Sequence, residues 1–177
     1  QDPEIPVART REVVVGDRVG SSSVPHESPV LRMQDARGVI TLSLNRPKAF
    51  NALSEALLDA MQAEIDRVAT DETARVVVIA AAGRAFCAGH DLKEMRAQPT
   101  LAYQERLFAQ CAHMMLSLQR LPVPVVARVH GMATAAGCQL VAMCDLAVAA
   151  REARFAVGGI NLGLYCSTPS VALSRNV

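Results

Sequence analysis

Two stretches of this sequence hold small residues where a buried strand should give way to a helix. The first is Gly83-Arg84-Ala85-Phe86-Cys87-Ala88-Gly89-His90-Asp91-Leu92. The second is Val129-His130-Gly131-Met132-Ala133-Thr134-Ala135-Ala136-Gly137-Cys138-Gln139-Leu140. Small side chains leave the backbone bare there. Amides at such a junction lack intrahelical partners and have a helix dipole behind them. Two of them converging would hold an oxygen as it becomes negative, the oxyanion-hole device. The same small residues also serve plain close packing, and spacing alone does not separate the two readings. Other chemistry finds less support. Cys87, Cys111, Cys138, Cys144 and Cys166 are odd in number and form no C-x-x-C, and the four histidines are scattered. No zinc template fits, no metal is expected, and the cysteines read as reduced, buried thiols.

These junctions need a frame. Val30 and Met33, then Val39 to Leu44, flank Asp35-Ala36-Arg37-Gly38, which reads as two short strands around a tight turn. Asn45-Arg46-Pro47 stops the second strand, because Pro cannot donate to a ladder. Ser54 can cap a helix whose apolar stripe is Leu53, Leu57, Met61, Ile65 and Val68. Val76 to Ala80 is an apolar run suited to a strand buried on both faces. Pro99 can open a second long helix with the stripe Tyr103, Leu107, Cys111, Met114, Leu118 and Leu121, which Pro122 and Pro124 end. Met114 and Met115 read as core filler. Val125 to Val129 is a short strand. A third helix runs through Gln139 to Met143, Leu146 to Ala150 is another buried strand, and Ser167-Thr168-Pro169 starts a last helix. Strands alternating with helices argue α/β with a largely parallel sheet. Residues 1–27 read as a flexible tail and 28–177 as one core.

Composition excludes several classes. The formal net charge is +1, so nothing points to nucleic acid or an anionic membrane surface. At 51% hydrophobic the chain is too apolar for disorder. With 3% aromatic residues and no Trp it lacks base-stacking platforms. The longest apolar run, Val76 to Ala82, falls far short of the roughly 20 residues that a bilayer needs. The first residues show no secretory core and mix acidic with basic side chains. A cytoplasmic protein is the expectation, with a mitochondrial matrix protein after transit-peptide removal as the alternative.

Phe86-Cys87-Ala88-Gly89-His90-Asp91-Leu92-Lys93-Glu94-Met95 and the segment His130 to Ala150 resemble the crotonase, or enoyl-CoA hydratase/isomerase, superfamily. Asn45 to Met61 is similar to that family's opening motif, and Phe155 to Gly163 to its next segment. The resemblance implies a spiral of ββα repeats assembled as trimers or dimers of trimers. It implies an acyl-CoA or enoyl-CoA thioester as substrate, with coenzyme A as part of that substrate and no separate cofactor. Family members continue with further C-terminal helices, so these are expected to be missing here.

Carried over by position, the two oxyanion amides are those of His90 and Ala136. The His90 imidazole is expected at the pocket mouth, bonded to Asp91, or in catalysis. Ala88, Gly89, Asp91, Leu92 and Asn161 are the expected substrate-binding positions, with Asp91 and Glu94 also capping the short helix that follows. Hydratases of the family use two carboxylates; their positions fall on Gln139 and Gly159. Gln can orient water but cannot take its proton, and Gly offers no side chain. Hydration by that route should be crippled. Related dehalogenases place a nucleophilic Asp near Tyr165 and Cys166, and none is present. Arg46 and Lys48 are candidates for the CoA phosphates, and Asp145 reads as structural. The resemblance thus implies either an enoyl-CoA hydratase/isomerase-like enzyme or an acyl-CoA-binding protein that has lost the acids.

Overall fold

The computed structural model describes residues 28–163 and 165–176, and for Asn161 and Leu162 the backbone alone. The proposed tail therefore lies outside the described residues. Strands β1 (Val30–Gln34) and β2 (Val39–Leu44) form an antiparallel hairpin. Helix α1 (Glu55–Ala69) follows, then β3 (Val76–Ala81), β4 (Ala85–Cys87), α2 (Leu92–Ala97) and α3 (Leu101–Gln119). The chain continues through β5 (Val125–Val129), β6 (Met132–Thr134), α4 (Ala136–Ala142), β7 (Leu146–Ala149), β8 (Arg154–Ala156) and α5 (Ser167–Asn176). Short 3-10 turns lie at Pro47–Ala49 and Gly158–Leu162.

Two sheets result. The larger has the order β1-β2-β3-β5-β7, parallel from β2 onward; the smaller is β4-β6-β8, all parallel. Each of β3, β5 and β7 passes directly into a short strand of the second sheet and then toward a helix. This is the expected ββα spiral. The second sheet is an addition to what periodicity shows, because its strands have three residues each.

The helix stripes form the core. Leu53, Leu57, Met61, Ile65 and Val68 of α1 and its approach are buried, as are Tyr103, Leu107, Cys111, Met114, Met115 and Leu118 of α3. They pack against Ile40, Leu42, Val77, Ile79, Val125 and Ala127 on one face of the large sheet. The other face is half-open, so β3 is not buried on both sides: Val76 and Val78 remain partly exposed. β7 departs further from expectation. It lies at the sheet edge, pairs with β5 alone, and all four of its residues are exposed.

Capping also departs in part. Ser54 Oγ accepts from the Leu57 N–H (3.2 Å), as expected. Glu94 does not cap its own helix; its carboxylate accepts from the Glu55 N–H (3.0 Å) at the start of α1. Thr100, not Pro99, is the N-cap of α3. Asp145 is structural, accepting from the Val125 N–H at 2.7 Å.

One buried side chain ties the opening motif to the corner between the sheets. Asn51 is fully buried with φ 53°, a left-handed conformation that Asn tolerates. Its Nδ2 donates to the carbonyls of Ala82 (2.8 Å) and Ala85 (2.9 Å), and its Oδ1 accepts from the Arg46 N–H (2.8 Å). Replacing it orphans several buried partners at once. Asn51→Leu should lower unfolding free energy by about 3 kcal/mol in denaturant titration, whereas exposed Lys48→Ala should change it by less than about 0.5 kcal/mol.

Candidate functional site

The site forms where β4 and β6 end side by side. Ala85 pairs with Met132 and Cys87 with Ala133, so the two small-residue segments run parallel and deliver their following loops to one place. Thr134 Oγ1 then donates to the Ala88 carbonyl (3.0 Å), and the Ala88 N–H donates to the Phe50 carbonyl (3.1 Å). Absent side chains permit the approach. A Cβ on Gly137 would run into the Cys87 carbonyl. A Cβ on Gly89, where φ is +92°, would lie 3.0 Å from the Ala135 Cβ, 3.1 Å from the Thr134 carbonyl oxygen and 3.4 Å from the Ala136 amide nitrogen.

Two unpaired amides emerge from this contact. The Leu53 N–H donates to the Gly89 carbonyl (2.8 Å), and the Asp91 N–H to the Leu53 carbonyl (3.1 Å). That parallel bridge turns the intervening His90 N–H the other way. It has no partner among the described residues. Ala136 is the first residue of α4, so its N–H has none within the helix. The residue before it, Ala135, adopts φ 49° and ψ −122°, a conformation costly for any residue bearing a Cβ. It is held there at both ends. Its N–H donates to the Ala156 carbonyl (2.8 Å), and its carbonyl accepts from the Gln139 N–H (3.0 Å).

His90 and Ala136 line one cavity of about 340 Å³. Its walls include Ala88, Leu92, Met95, Phe108, Gly159 and Cys166, and among the described residues no Asp or Glu lines it. Phe108 and Met95 lie outside the sequence reading. The available signal was a large aromatic beside, not within, the α3 stripe. The His90 ring packs on Phe108 with centroids 4.8 Å apart and planes tilted by 59°.

Other expected site residues fall elsewhere. Asp91 does not bond the His90 ring. Its Oδ1 accepts from the Lys93 N–H (3.1 Å) and its Oδ2 pairs with the Arg46 guanidinium (3.0 Å). Burial works to raise the Asp91 pKa, but Arg46 and the Lys93 amide more than offset it, and the carboxyl sits below its ordinary value. Arg46 also donates to the Ala52 carbonyl (2.6 Å), so it serves the loop, while Lys48 is exposed. Gln139 is buried but lines a second cavity of about 320 Å³ between α3, α4 and α5, where its Oε1 has no partner among the described residues. Gly89 is buried and acts by close approach, and the Asn161 side chain lies outside the described set.

The profile of the enoyl-CoA hydratase/isomerase family matches residues 34–177. The chain belongs to that family. Among solved relatives, an enoyl-CoA hydratase from Mycobacterium smegmatis is 68% identical, with a TM-score of 0.84 over 85% of this chain and 59% of that one. Human enoyl Coenzyme A hydratase domain-containing protein 3 is 44% identical, with a TM-score of 0.79 over 83% of this chain and 58% of its own. Enoyl-CoA hydratase domain-containing protein 3, mitochondrial, of Xenopus laevis is 47% identical over 159 residues, 90% of this chain and 54% of its own length. The chain therefore spans a little over half the length of these relatives. The fold is that of the crotonase family, and no described helix is long and apolar enough to cross a membrane.

Electrostatics follow burial. The thiols of Cys87, Cys111 and Cys144 are pushed up to about 12 by desolvation and are inert as nucleophiles at neutral pH. Burial pushes the His90 imidazole down to about 4, so it is neutral at pH 7. The folded protein then binds fewer protons than the unfolded chain between about pH 4 and 6.5. The His90 contribution to stability is full above pH 6.5 and falls, by up to about 3 kcal/mol, as pH drops toward 4. Denaturant titrations across this range should show that slope, and His90→Phe should flatten it.

Proposed function

We propose that this site binds an acyl-CoA or enoyl-CoA thioester and stabilises negative charge on its carbonyl oxygen. The amides of His90 and Ala136 are the two donors. The observation that carries this reading is that both amides have no partner among the described residues and that their residues, from separate loops, line the same cavity. Such fixed dipoles suit an enolate or a tetrahedral oxygen, because they need no reorientation as charge develops. Coenzyme A enters as part of the substrate, and the reading requires no separate cofactor.

The acid–base half differs from a two-carboxylate hydratase. Gly159 lines the cavity but brings no side chain, and Gln139 faces the neighbouring one. The reading is an enoyl-CoA hydratase/isomerase-type protein whose hydration of crotonyl-CoA is weak. Gly159, which lines the cavity without a side chain, and the lack of a carboxylate among the described lining residues support a second reading, an acyl-CoA-binding protein of the same fold with no turnover.

Association into trimers or dimers of trimers belongs to the proposal. Leu146, Val148 and Phe155 support it as large apolar residues left exposed, and light scattering reads the mass directly. Of the two compartments, the name of the Xenopus relative supports the mitochondrial alternative over the cytoplasmic expectation.

Replacing the Ala135–Ala136 amide by an ester (L-lactate in place of Ala136) tests the donor directly. It removes this one N–H and keeps the backbone path, whereas proline would force Ala135 out of its φ 49°, ψ −122° conformation. Turnover of any thioester substrate found in an acyl-CoA panel should fall by about 10²–10³-fold, with the fold retained by circular dichroism. Gly159→Glu, at a residue that lines the cavity, should raise crotonyl-CoA hydration by about 10²-fold or more, whereas Gln139→Glu alone, in the neighbouring cavity, should change it little. Calorimetric titration with acetyl-CoA and crotonyl-CoA that gave no binding would overturn the thioester reading. Efficient hydration by the unmodified protein would overturn the second reading.

A further inference from the structure

The His90 side chain is not consumed by the fold. It makes no hydrogen bond among the described residues, and its Nδ1 is sealed from solvent with no partner. Acceptors close to it in sequence have partners elsewhere. The Ala88 carbonyl takes the Thr134 hydroxyl, and the Asp91 carboxylate takes Arg46 and the Lys93 amide. Leu92, Met95 and Phe108 contribute apolar wall to the same cavity. A neutral imidazole carries one N–H and one bare nitrogen. Leaving an acceptor bare costs less than sealing away an unbonded N–H. On that ground the proton is assigned to Nε2, which is not among the sealed unpaired atoms, and the ring packs against Phe108. Burial keeps the ring neutral, so it serves as a donor and not as a cation.

We propose that the His90 imidazole is a specificity-determining residue that donates a hydrogen bond to an oxygen carried on the acyl group, so that the site selects acyl-CoA thioesters with a hydroxyl or keto oxygen close to the carbonyl over plain alkyl ones. The inference rests on the thioester reading above. The amide of the same residue is the donor for the thioester oxygen, so its ring reaches only the acyl carbons next to that carbonyl. A cavity with no carboxylate among its described lining residues is poorly equipped to add water, whereas a substrate already oxygenated at C3 brings the acceptor that the ring lacks. Sites built to bond a substrate oxygen discriminate strongly against analogues that lack it, because the buried polar group is then left unpaired.

The test is calorimetric titration of the intact protein with each enantiomer of 3-hydroxybutyryl-CoA and with butyryl-CoA, for the unmodified protein, His90→Phe and His90→Gln. The unmodified protein should bind one hydroxy form at least about tenfold tighter than butyryl-CoA. His90→Phe keeps an aromatic ring against Phe108 but has no N–H, and should bring that ratio near one. His90→Gln supplies an amide N–H and should restore part of it. Equal affinities in the unmodified protein, or a preference that survives in His90→Phe, would overturn the inference and leave the thioester reading intact. Binding of neither ligand by the unmodified protein would overturn both. Should His90→Phe fail to fold by circular dichroism, the unmodified ratio and its persistence in His90→Gln decide the matter.

Discussion

Where β4 and β6 end, two stretches of backbone touch with no side chain between them, and the rest of the site is built from that contact. Gly137 lies against the Cys87 carbonyl, and Gly89 lies against Ala135 and the Ala136 amide. The approach fixes where α4 begins, and so where its first free amide stands. It is clamped by strand pairing, by the Thr134 hydroxyl on the Ala88 carbonyl, and by the Ala135 N–H on the Ala156 carbonyl. The strained backbone at Ala135 follows from the same constraint, since a conformation worth about 1–3 kcal/mol of strain persists only where its surroundings over-determine it. A bulkier residue at Gly89 or Gly137 would separate the loops and with them the two amides.

The electrostatic character of the cavity follows from what lines it. No carboxylate lines it among the described residues, burial keeps the histidine neutral at pH 7, and the most deeply buried thiols lie too high to ionise. What remains are partial positive charges on backbone amides and the short α4 dipole, held in a mostly apolar hollow. Such an arrangement favours one developing negative oxygen and offers little for moving protons through a carboxylate pair. The chain belongs to the enoyl-CoA hydratase/isomerase family, and the proposed thioester reading draws on the backbone amides of this cavity rather than on a carboxylate pair.

Much of the frame was legible in the residues because periodicity reports it. The stripes of α1 and α3 are long enough for apolar spacing to identify the buried face, and the hairpin declares itself through Asp35 to Gly38. The second sheet escaped because Ala85–Cys87, Met132–Thr134 and Arg154–Ala156 are too short for alternation to register. Composition misled at β7: four apolar residues read as buried, yet the strand lies at an edge, and no local pattern distinguishes the two. Long-range caps such as Glu94 on α1 cannot be read from neighbours in sequence. Within the site, His90 and Ala136, marked by their motifs, both line the cavity, whereas the salt bridge between Asp91 and Arg46 joins residues too far apart in sequence to leave a local signature. Phe108 shows as a site residue only once α3 is set beside the His90 loop.

The central claim is that the His90 and Ala136 amides act on one oxygen. The infrared stretch of a ¹³C-labelled thioester carbonyl, measured by isotope-edited difference spectroscopy on a bound acyl-CoA, reads that oxygen directly. Two donors converging on it should move the band to lower frequency than in water, and an amide-to-ester replacement at Ala136 should move it part of the way back. A bound thioester whose carbonyl band stays at its solution position, or does not respond to loss of the Ala136 N–H, would contradict the account.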